Sequence, residues 1–188
     1  MTGVLVVCHA NICRSPLAAA ALVTSAPLEA AGVASRGTDA VAGAGLCVVS
    51  ASTATSLDIP VDATHRSERL TVQAIADSDL ILTAEVAQRA AVGRLLPDAR
   101  PRTFTIREAV VLAGHLESLG RGPYSRISEL ADALNDARGL SDPTDDLDLI
   151  DGHGLSARRH RAATTAVGNA ALQFAGLADR LLAARLHG

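Results

Sequence analysis

Short apolar runs rich in β-branched residues alternate with longer stretches of helical periodicity along this chain. The runs predict four strands, at about residues 4–7, 33–38, 79–82 and 102–106. The longer stretches predict helices at about residues 16–25, 46–57, 72–76, 85–96, 107–119, 125–138 and 155–186. Because strands that alternate with helices form parallel sheets through right-handed crossovers, we expect an α/β fold, a three-layer sandwich in which helices flank a four-stranded parallel sheet.

The chain length is typical of one α/β domain. It has 188 residues, of which 48% are hydrophobic, and it shows neither an internal repeat nor a linker. We therefore predict a single domain over residues 1–188. Only 2% of the residues are aromatic, so the core must be aliphatic.

Charge and cysteine content narrow the possible functions. The net charge of -3 gives no general attraction to nucleic acid or to a membrane surface, and we expect neither as a partner. Three cysteines without a disulfide framework favour a reducing compartment, and no apolar run is long enough to span a bilayer, so we expect a cytoplasmic protein. The six histidines show no H-x3-H spacing and no carboxylate cluster, so we predict no metal site and no cofactor.

The strongest chemical signal follows the first strand directly, where residues 8–16 read Cys-His-Ala-Asn-Ile-Cys-Arg-Ser-Pro. Ser15 and Pro16 are typical of a helix start, as a cap residue and a first-turn proline. A strand, a tight loop and a helix N-terminus together form an anion site, because free backbone N–H groups and the helix dipole point at the loop. A thiol there, Cys8, is expected to ionise readily, and the planar guanidinium of Arg14 can bind two phosphate oxygens. The pattern predicts an oxyanion-binding loop around a thiolate nucleophile.

These nine residues resemble the C-x-G-N-x-C-R-S-P motif of the low-molecular-weight protein tyrosine phosphatase family. The resemblance extends to residues 35–38 at the second strand, to residues 65–70 in the connector that follows, and to residues 79–82 at the third strand. Residues 107–139 are the part least similar to compact family members, and we interpret them as a helical insertion.

The resemblance implies a mechanism that the residues themselves support. The Cys8 thiolate attacks phosphorus to form a phosphocysteine, which water then hydrolyses. Arg14 and the loop N–H groups hold the equatorial oxygens, Ser15 donates to the thiolate, and Asn11 holds the loop shape. The residues expected around the phosphate are His9, Ala10, Asn11, Ile12, Cys13, Arg14 and Ser15.

A carboxylic acid must protonate the leaving oxygen, and the family supplies it as Asp-Pro shortly before the last helix. Asp142 precedes a proline, whereas Asp151 lies in a segment similar to D-I-P-D-P-x-G with both prolines replaced. We favour Asp151 because it lies only a few residues before the last helix, and Asp142 is the alternative.

Two departures from the family pattern and one residue that matches it affect the expected function. Ala10 replaces a glycine, which would strain the loop if that position needs positive φ. The aromatic residues that usually flank a phosphotyrosine ring are missing, so we expect a weaker preference for phosphotyrosine. Cys13 lies close enough along the loop to form a protective disulfide with Cys8, or it is a buried residue without a redox role.

Two other functions stay open. A catalytically weak pseudophosphatase, acting as an oxyanion-binding regulatory module, would fit the altered acid loop and the lost aromatics. An arsenate reductase is less favoured, because the chain lacks the redox cysteine pair that this branch has near its third strand. The substrate that we expect is a phosphorylated protein or a small phosphomonoester.

Overall fold

The computed structural model describes residues 2–139 and 146–183. It contains four strands, and they form one parallel sheet in the order β2-β1-β3-β4. The strands are β1 (Thr2–Cys8), β2 (Val33–Gly37), β3 (Ser78–Thr83) and β4 (Thr103–Thr105). The helices of the described residues are α1 (Arg14–Leu22), α2 (Ala26–Ala31), α3 (Val48–Ser56), α4 (Val72–Ala76), α5 (Val86–Leu95), α6 (Ile106–Ser118), α7 (Ile127–Ala137) and α8 (Ala157–Leu181). The predicted α/β architecture is confirmed.

Hydrophobic residues fill both faces of the sheet, as the continuous apolar run in β1 predicts. Val4 and Val6 face a large cluster that the helices α1, α6, α7 and α8 cover. Leu5 and Val7 face a smaller cluster built with residues of α4 and α5, such as Ile75. Because β1 is central and covered on both faces, its carboxyl end is held rigidly at one edge of the sheet. None of the helices in residues 2–139 and 146–183 is both long and apolar enough to cross a bilayer.

Two local predictions were wrong or incomplete. Helix α1 begins at Arg14 with Cys13 as its N-cap, so Ser15 lies inside the first turn and does not cap it. The Ser15 hydroxyl is instead 3.0 Å from the Cys8 sulfur. Helix α2 and a 3-10 helix at Pro97–Arg102 were not predicted.

The predicted helices within residues 107–139 are present as α6 and α7. Both bury one apolar face on the large cluster, through residues such as Leu112, Leu116, Leu130 and Leu134. Thr105 caps α6 in a capping box with Glu108, in which each side chain binds the other residue's backbone N–H.

Glu108 also joins these two helices to the rest of the domain. Its carboxylate is 12% exposed, and it accepts hydrogen bonds from Arg89 after α5's first turn and from Arg138 at the end of α7. Burial by itself would raise the pKa of Glu108, but Arg138 and Arg89 outweigh it and hold the pKa below its usual range.

Replacing Glu108 with glutamine is expected to lower the free energy of unfolding by about 3 kcal/mol, because two arginines then lose a buried partner. The contribution of a carboxylate with a lowered pKa is complete above its unfolded pKa and is lost as the pH falls through the folded value. The difference between wild type and variant should therefore be full above about pH 5 and shrink below about pH 4. Urea unfolding of both proteins at several pH values measures this difference in the free energy of unfolding.

Glu117 provides a matched control, because its ion pair with Arg180 lies on the surface. Glu117→Gln should leave the urea midpoint almost unchanged. Equal effects of the two substitutions would contradict the anchoring role of Glu108.

Candidate active site

The loop between β1 and α1 lies at the carboxyl edge of the sheet, where parallel α/β folds bind ligands. The segment after β2 holds it in place: Thr38 N–H donates to Cys8 O and Asp39 N–H donates to His9 O, both at 2.9 Å. Gly37 allows this approach, because a Cβ there would lie 2.6 Å from His9 O and 2.8 Å from Asn11 N. His9 itself is exposed and Ala10 is half-buried.

Cys8 presents its sulfur at the centre of this loop. The residue is 2% exposed, and Asn11 N–H donates to Sγ at 3.3 Å. The Ser15 hydroxyl is 3.0 Å from Sγ and accepts a hydrogen bond from the Asn11 side chain at 2.9 Å. Since Asn11 occupies an acceptor position of that oxygen, the Ser15 hydrogen can point at the sulfur or at Arg36 O, which lies 3.3 Å away. A thiolate nucleophile needs this arrangement of donors.

Asn11 determines the shape of the loop. It is fully buried and its φ is 55°, a left-handed conformation that asparagine tolerates better than most residues. Its side chain donates to Ser15 and Ser35 and accepts from Glu68 N–H. Ala10 does not have a positive φ, so the strain expected at Ala10 from the missing glycine is absent.

Arg14 lies behind the loop and is 3% exposed. Its Nη1 donates to Leu149 O at 3.1 Å and lies 2.9 Å from a Glu85 oxygen, while Nη2 lies 2.5 Å from an Asp151 oxygen. Glu85 was not among the predicted site residues. Glu85 follows β3, and only the strand order, with β3 beside β1, shows that it reaches Arg14.

Backbone donors complete the anion site. The N–H groups of Ile12, Cys13 and Arg14 have no hydrogen-bond acceptor among the described residues. They precede or begin helix α1, whose first N–H groups have no intrahelical partner. Three such donors beside a guanidinium form a site suited to a tetrahedral oxyanion.

The segment before α8 carries Asp151 to this site. Leu149 N–H donates to Ala84 O at 2.8 Å, and Asp148 accepts from Val86 N–H at 2.7 Å, so the segment is fixed at the end of β3. Gly152 lets it pack against α8, since a Cβ there would lie 2.8 Å from His160. Asp151 is thus held beside Arg14. Asp142, the alternative acid, lies outside the described residues.

The phenylalanine and tyrosine side chains lie in the core or at the other end of α8. The chain has two phenylalanines, one tyrosine and no tryptophan. Phe104 and Phe174 are fully buried in the core, and Tyr124 pairs with Leu182 at the end of α8 opposite to Asp151. The aromatic flanks expected of a phosphotyrosine cleft are therefore missing in the folded protein as well.

Cys13 points away from solvent, toward α3 and α8. Its sulfur is 3.5 Å from His160 Nε2. Burial, together with a hydrogen bond to Cys47, raises the pKa of the Cys13 thiol. Because a neutral thiol reacts slowly, this environment does not favour a redox partnership with Cys8, and that role stays a prediction.

Four residues that could hold a metal ion also meet here, although the sequence predicted no metal site. The ligand atoms of Cys13, Cys47, His153 and His160 all lie within 4.8 Å of one another. They were missed because their spacing along the chain matches no metal-binding motif.

A loop that surrounds a cysteine sulfur with donors and is closed by an arginine, at the carboxyl edge of a parallel sheet, defines the class of cysteine-dependent phosphatases. Comparisons with known proteins agree with this class. The sequence model described as low molecular weight phosphotyrosine protein phosphatase matches residues 3–119. The low molecular weight protein-tyrosine-phosphatase Wzb of Salmonella typhi is 34% identical over 115 residues, which are 61% of this chain and 70% of that protein. The chain belongs to the low molecular weight phosphotyrosine protein phosphatase family.

Solved structures show the same fold over nearly the whole chain. The Erwinia amylovora tyrosine phosphatase AmsI superposes with a TM-score of 0.67 and 22% identity, covering 93% of this chain and 91% of that one. The YwlE arginine phosphatase from Geobacillus stearothermophilus gives a TM-score of 0.66 and 23% identity, with coverage of 94% and 92%.

Proposed function

We propose that this protein hydrolyses phosphate monoesters through a phosphocysteine at Cys8. The observation that carries the proposal is the convergence of the Cys8 sulfur, the Ser15 hydroxyl and free N–H groups on one loop beside Arg14. The sulfur attacks phosphorus, the S–P bond forms and the bond to the ester oxygen breaks. Water then attacks the phosphocysteine, which releases inorganic phosphate and restores the thiolate.

Arg14 holds the phosphoryl oxygens during both steps. The Arg14 guanidinium is paired with Glu85 and Asp151. A phosphate that binds the Nη2 side of the guanidinium therefore displaces the Asp151 carboxylate. Glu85 keeps its contact and orients the arginine. The carboxyl that is displaced stays beside the bound phosphate, where a proton donor is needed.

Asp151 is the proposed general acid for the leaving oxygen and the base for the water. Asp151→Asn should lower kcat/KM for an alkyl phosphate about 10²-fold but affect kcat/KM for p-nitrophenyl phosphate much less, because p-nitrophenolate leaves without a proton and kcat/KM does not include the later attack of water. Steady-state rates on the two substrates test this. Asp142→Asn is the matched control; if it shows this pattern and Asp151→Asn does not, Asp142 is the acid.

The substrate is a phosphorylated protein side chain or a small phosphomonoester, without strong selection for an aromatic ring. The segments that adjoin the loop present exposed aliphatic side chains instead, namely Val41 after β2 and Ile150 beside Asp151. Structural relatives include both tyrosine and arginine phosphatases, so the fold alone does not select phosphotyrosine. The three cysteines are free, which fits a reducing compartment, and we propose the cytoplasm.

Two non-hydrolysable inhibitors separate ring binding from leaving-group chemistry. The inhibition constants of benzylphosphonate and propylphosphonate should differ by less than about threefold, because the site lacks an aromatic wall, on which stacking would add about 0.5–1.5 kcal/mol, or about two- to tenfold. A much stronger preference for benzylphosphonate would show that the site recognises aromatic rings by other means.

The second candidate is an oxyanion-binding module without turnover. It is favoured by one observation, the pairing of Arg14 with two carboxylates. Tight phosphate binding with no hydrolysis of p-nitrophenyl phosphate would support it over the phosphatase. Arsenate-dependent thiol oxidation in a coupled assay would instead indicate an arsenate reductase.

A further inference from the structure

Two cysteines and two histidines converge behind the phosphate loop. Cys13 is the N-cap of α1, Cys47 is the N-cap of α3, His153 follows Asp151, and His160 lies in the first turns of α8. Cys13 and His160 are buried, Cys47 is half-buried and His153 is exposed. Four separate segments thus direct one ligand atom each to a common point.

The distances from His160 to the two cysteine sulfurs match those in a tetrahedral coordination shell, and all four ligand atoms lie within 4.8 Å of one another. Bonds of about 2.3 Å to sulfur and 2.0 Å to nitrogen place neighbouring S and N ligands about 3.5 Å apart. The His160 Nε2 atom is 3.5 Å from Cys13 Sγ and 3.6 Å from Cys47 Sγ. Cys13 Sγ is 4.0 Å from His153 Nδ1, which a small rotation of the exposed His153 ring would shorten.

The orientation of the two rings supports convergence on an ion. The rings of His153 and His160 lie edge to face at an interplanar angle of 80°, with their centroids 5.7 Å apart. One imidazole nitrogen of His160 faces both thiols, as it would in a shared ligand shell.

We propose that Cys13, Cys47, His153 and His160 bind one Zn²⁺ ion. Two thiolate and two imidazole ligands in a closed tetrahedral shell are typical of structural zinc sites. The donor set is too soft for Mg²⁺ or Ca²⁺, which take oxygen ligands. As the ion binds, both thiols release their protons to solvent and each imidazole binds through a neutral nitrogen.

The ion would tie the proposed acid segment to the phosphate loop. The backbone N–H of His153 donates to the Asp151 carboxylate at 2.9 Å, and the backbone N–H of Cys47 donates to Ile12 O at 2.7 Å. Zinc at this point therefore fixes residues on both sides of Arg14, and it leaves Cys8 outside the coordination shell. The site does not depend on which phosphate ester the enzyme hydrolyses.

Metal titration of the full chain, prepared metal-free and reduced, tests the proposal. With Co²⁺ as a spectroscopic probe, we expect one ion per chain with the visible bands of tetrahedral cobalt and a thiolate charge-transfer band. Zn²⁺ should displace the cobalt. Zn²⁺ should also raise the midpoint of thermal unfolding, because it binds the folded state.

Variants assign the ligands. Cys47→Ser should remove one thiolate and weaken the charge-transfer band, and His153→Asn should lower affinity at least tenfold without a folding defect, since His153 is exposed. Cys8→Ser and His115→Asn are the controls that keep full binding, as neither residue belongs to the cluster.

Three results would overturn the proposal. One is the absence of a tetrahedral cobalt spectrum in the folded wild-type chain. Another is a spectrum that Cys8→Ser abolishes and Cys47→Ser preserves, which would place the metal on the nucleophile. The third is a Cys13–Cys47 disulfide in the protein as purified, detected by mass spectrometry of unreduced peptides, with no bound metal.

Discussion

Cys8→Ser should reduce the hydrolysis of p-nitrophenyl phosphate by about 10⁵-fold, as removal of a nucleophile does in other covalent hydrolases. A serine hydroxyl at this position has the right place but is not ionised at neutral pH, and no base among its contacts would remove its proton. The loop itself should be preserved, because serine can accept the same hydrogen bond from Asn11 N–H. Initial rates at saturating substrate measure the loss.

Phosphate binding provides the control for this variant. Inorganic phosphate should still protect Cys8→Ser against thermal unfolding, since Arg14 and the backbone donors are unchanged. If the variant binds phosphate and keeps more than about one hundredth of the wild-type rate, Cys8 is not the nucleophile.

Arg14→Lys should lower kcat/KM by about 10³-fold and weaken inhibition by phosphate. Lysine retains the positive charge, but it cannot present two parallel N–H groups to two oxygens. Nη1 and Nη2 of Arg14 bond to different partners, so both ends of the guanidinium are in use. The comparison of kcat/KM with the phosphate inhibition constant separates transition-state binding from ground-state binding.

Arg180→Lys is the matched control, because Arg180 pairs with Glu117 on the surface and lies in the last turn of α8. The Arg180→Lys variant should have the same kcat/KM as the wild type. An Arg14→Lys variant that is folded and has nearly full activity would exclude the bidentate role.

The parts of the fold and site that sequence predicted are those encoded locally. The apolar runs of β1 and β3 give the sheet, and Cys8 and Arg14 are six residues apart in one loop. Thr71 directly precedes the predicted helix at residues 72–76, and its side chain caps α4 by accepting from Ala74 N–H. Each of these depends on neighbouring residues only.

The parts that were missed depend on packing between distant segments. Glu85 reaches Arg14 only because β3 lies beside β1. Cys47 and His160 meet because α3 packs on α8. Sequence spacing contains neither relation, so a site assembled from four segments could not be predicted.

Two predictions made from neighbouring residues in the phosphate loop were also wrong in detail. Ser15 was expected to cap a helix that begins at Pro16, but its hydroxyl bonds to the loop and the helix begins two residues earlier, at Arg14. The glycine that Ala10 replaces raised the question of a positive φ at that position, but it is Asn11 that adopts it, with a side chain that is hydrogen-bonded to three partners. In both cases the tertiary hydrogen bonds of the loop decide the conformation.

The most direct test of the phosphocysteine mechanism is to trap the intermediate. The enzyme is mixed with p-nitrophenyl phosphate, quenched within milliseconds, digested and analysed by mass spectrometry under conditions that preserve S–P bonds. The account predicts one phosphoryl group on the peptide that contains Cys8, and none in Cys8→Ser. Turnover without any phosphorylated Cys8 peptide, or with the phosphoryl group on another residue, would contradict it.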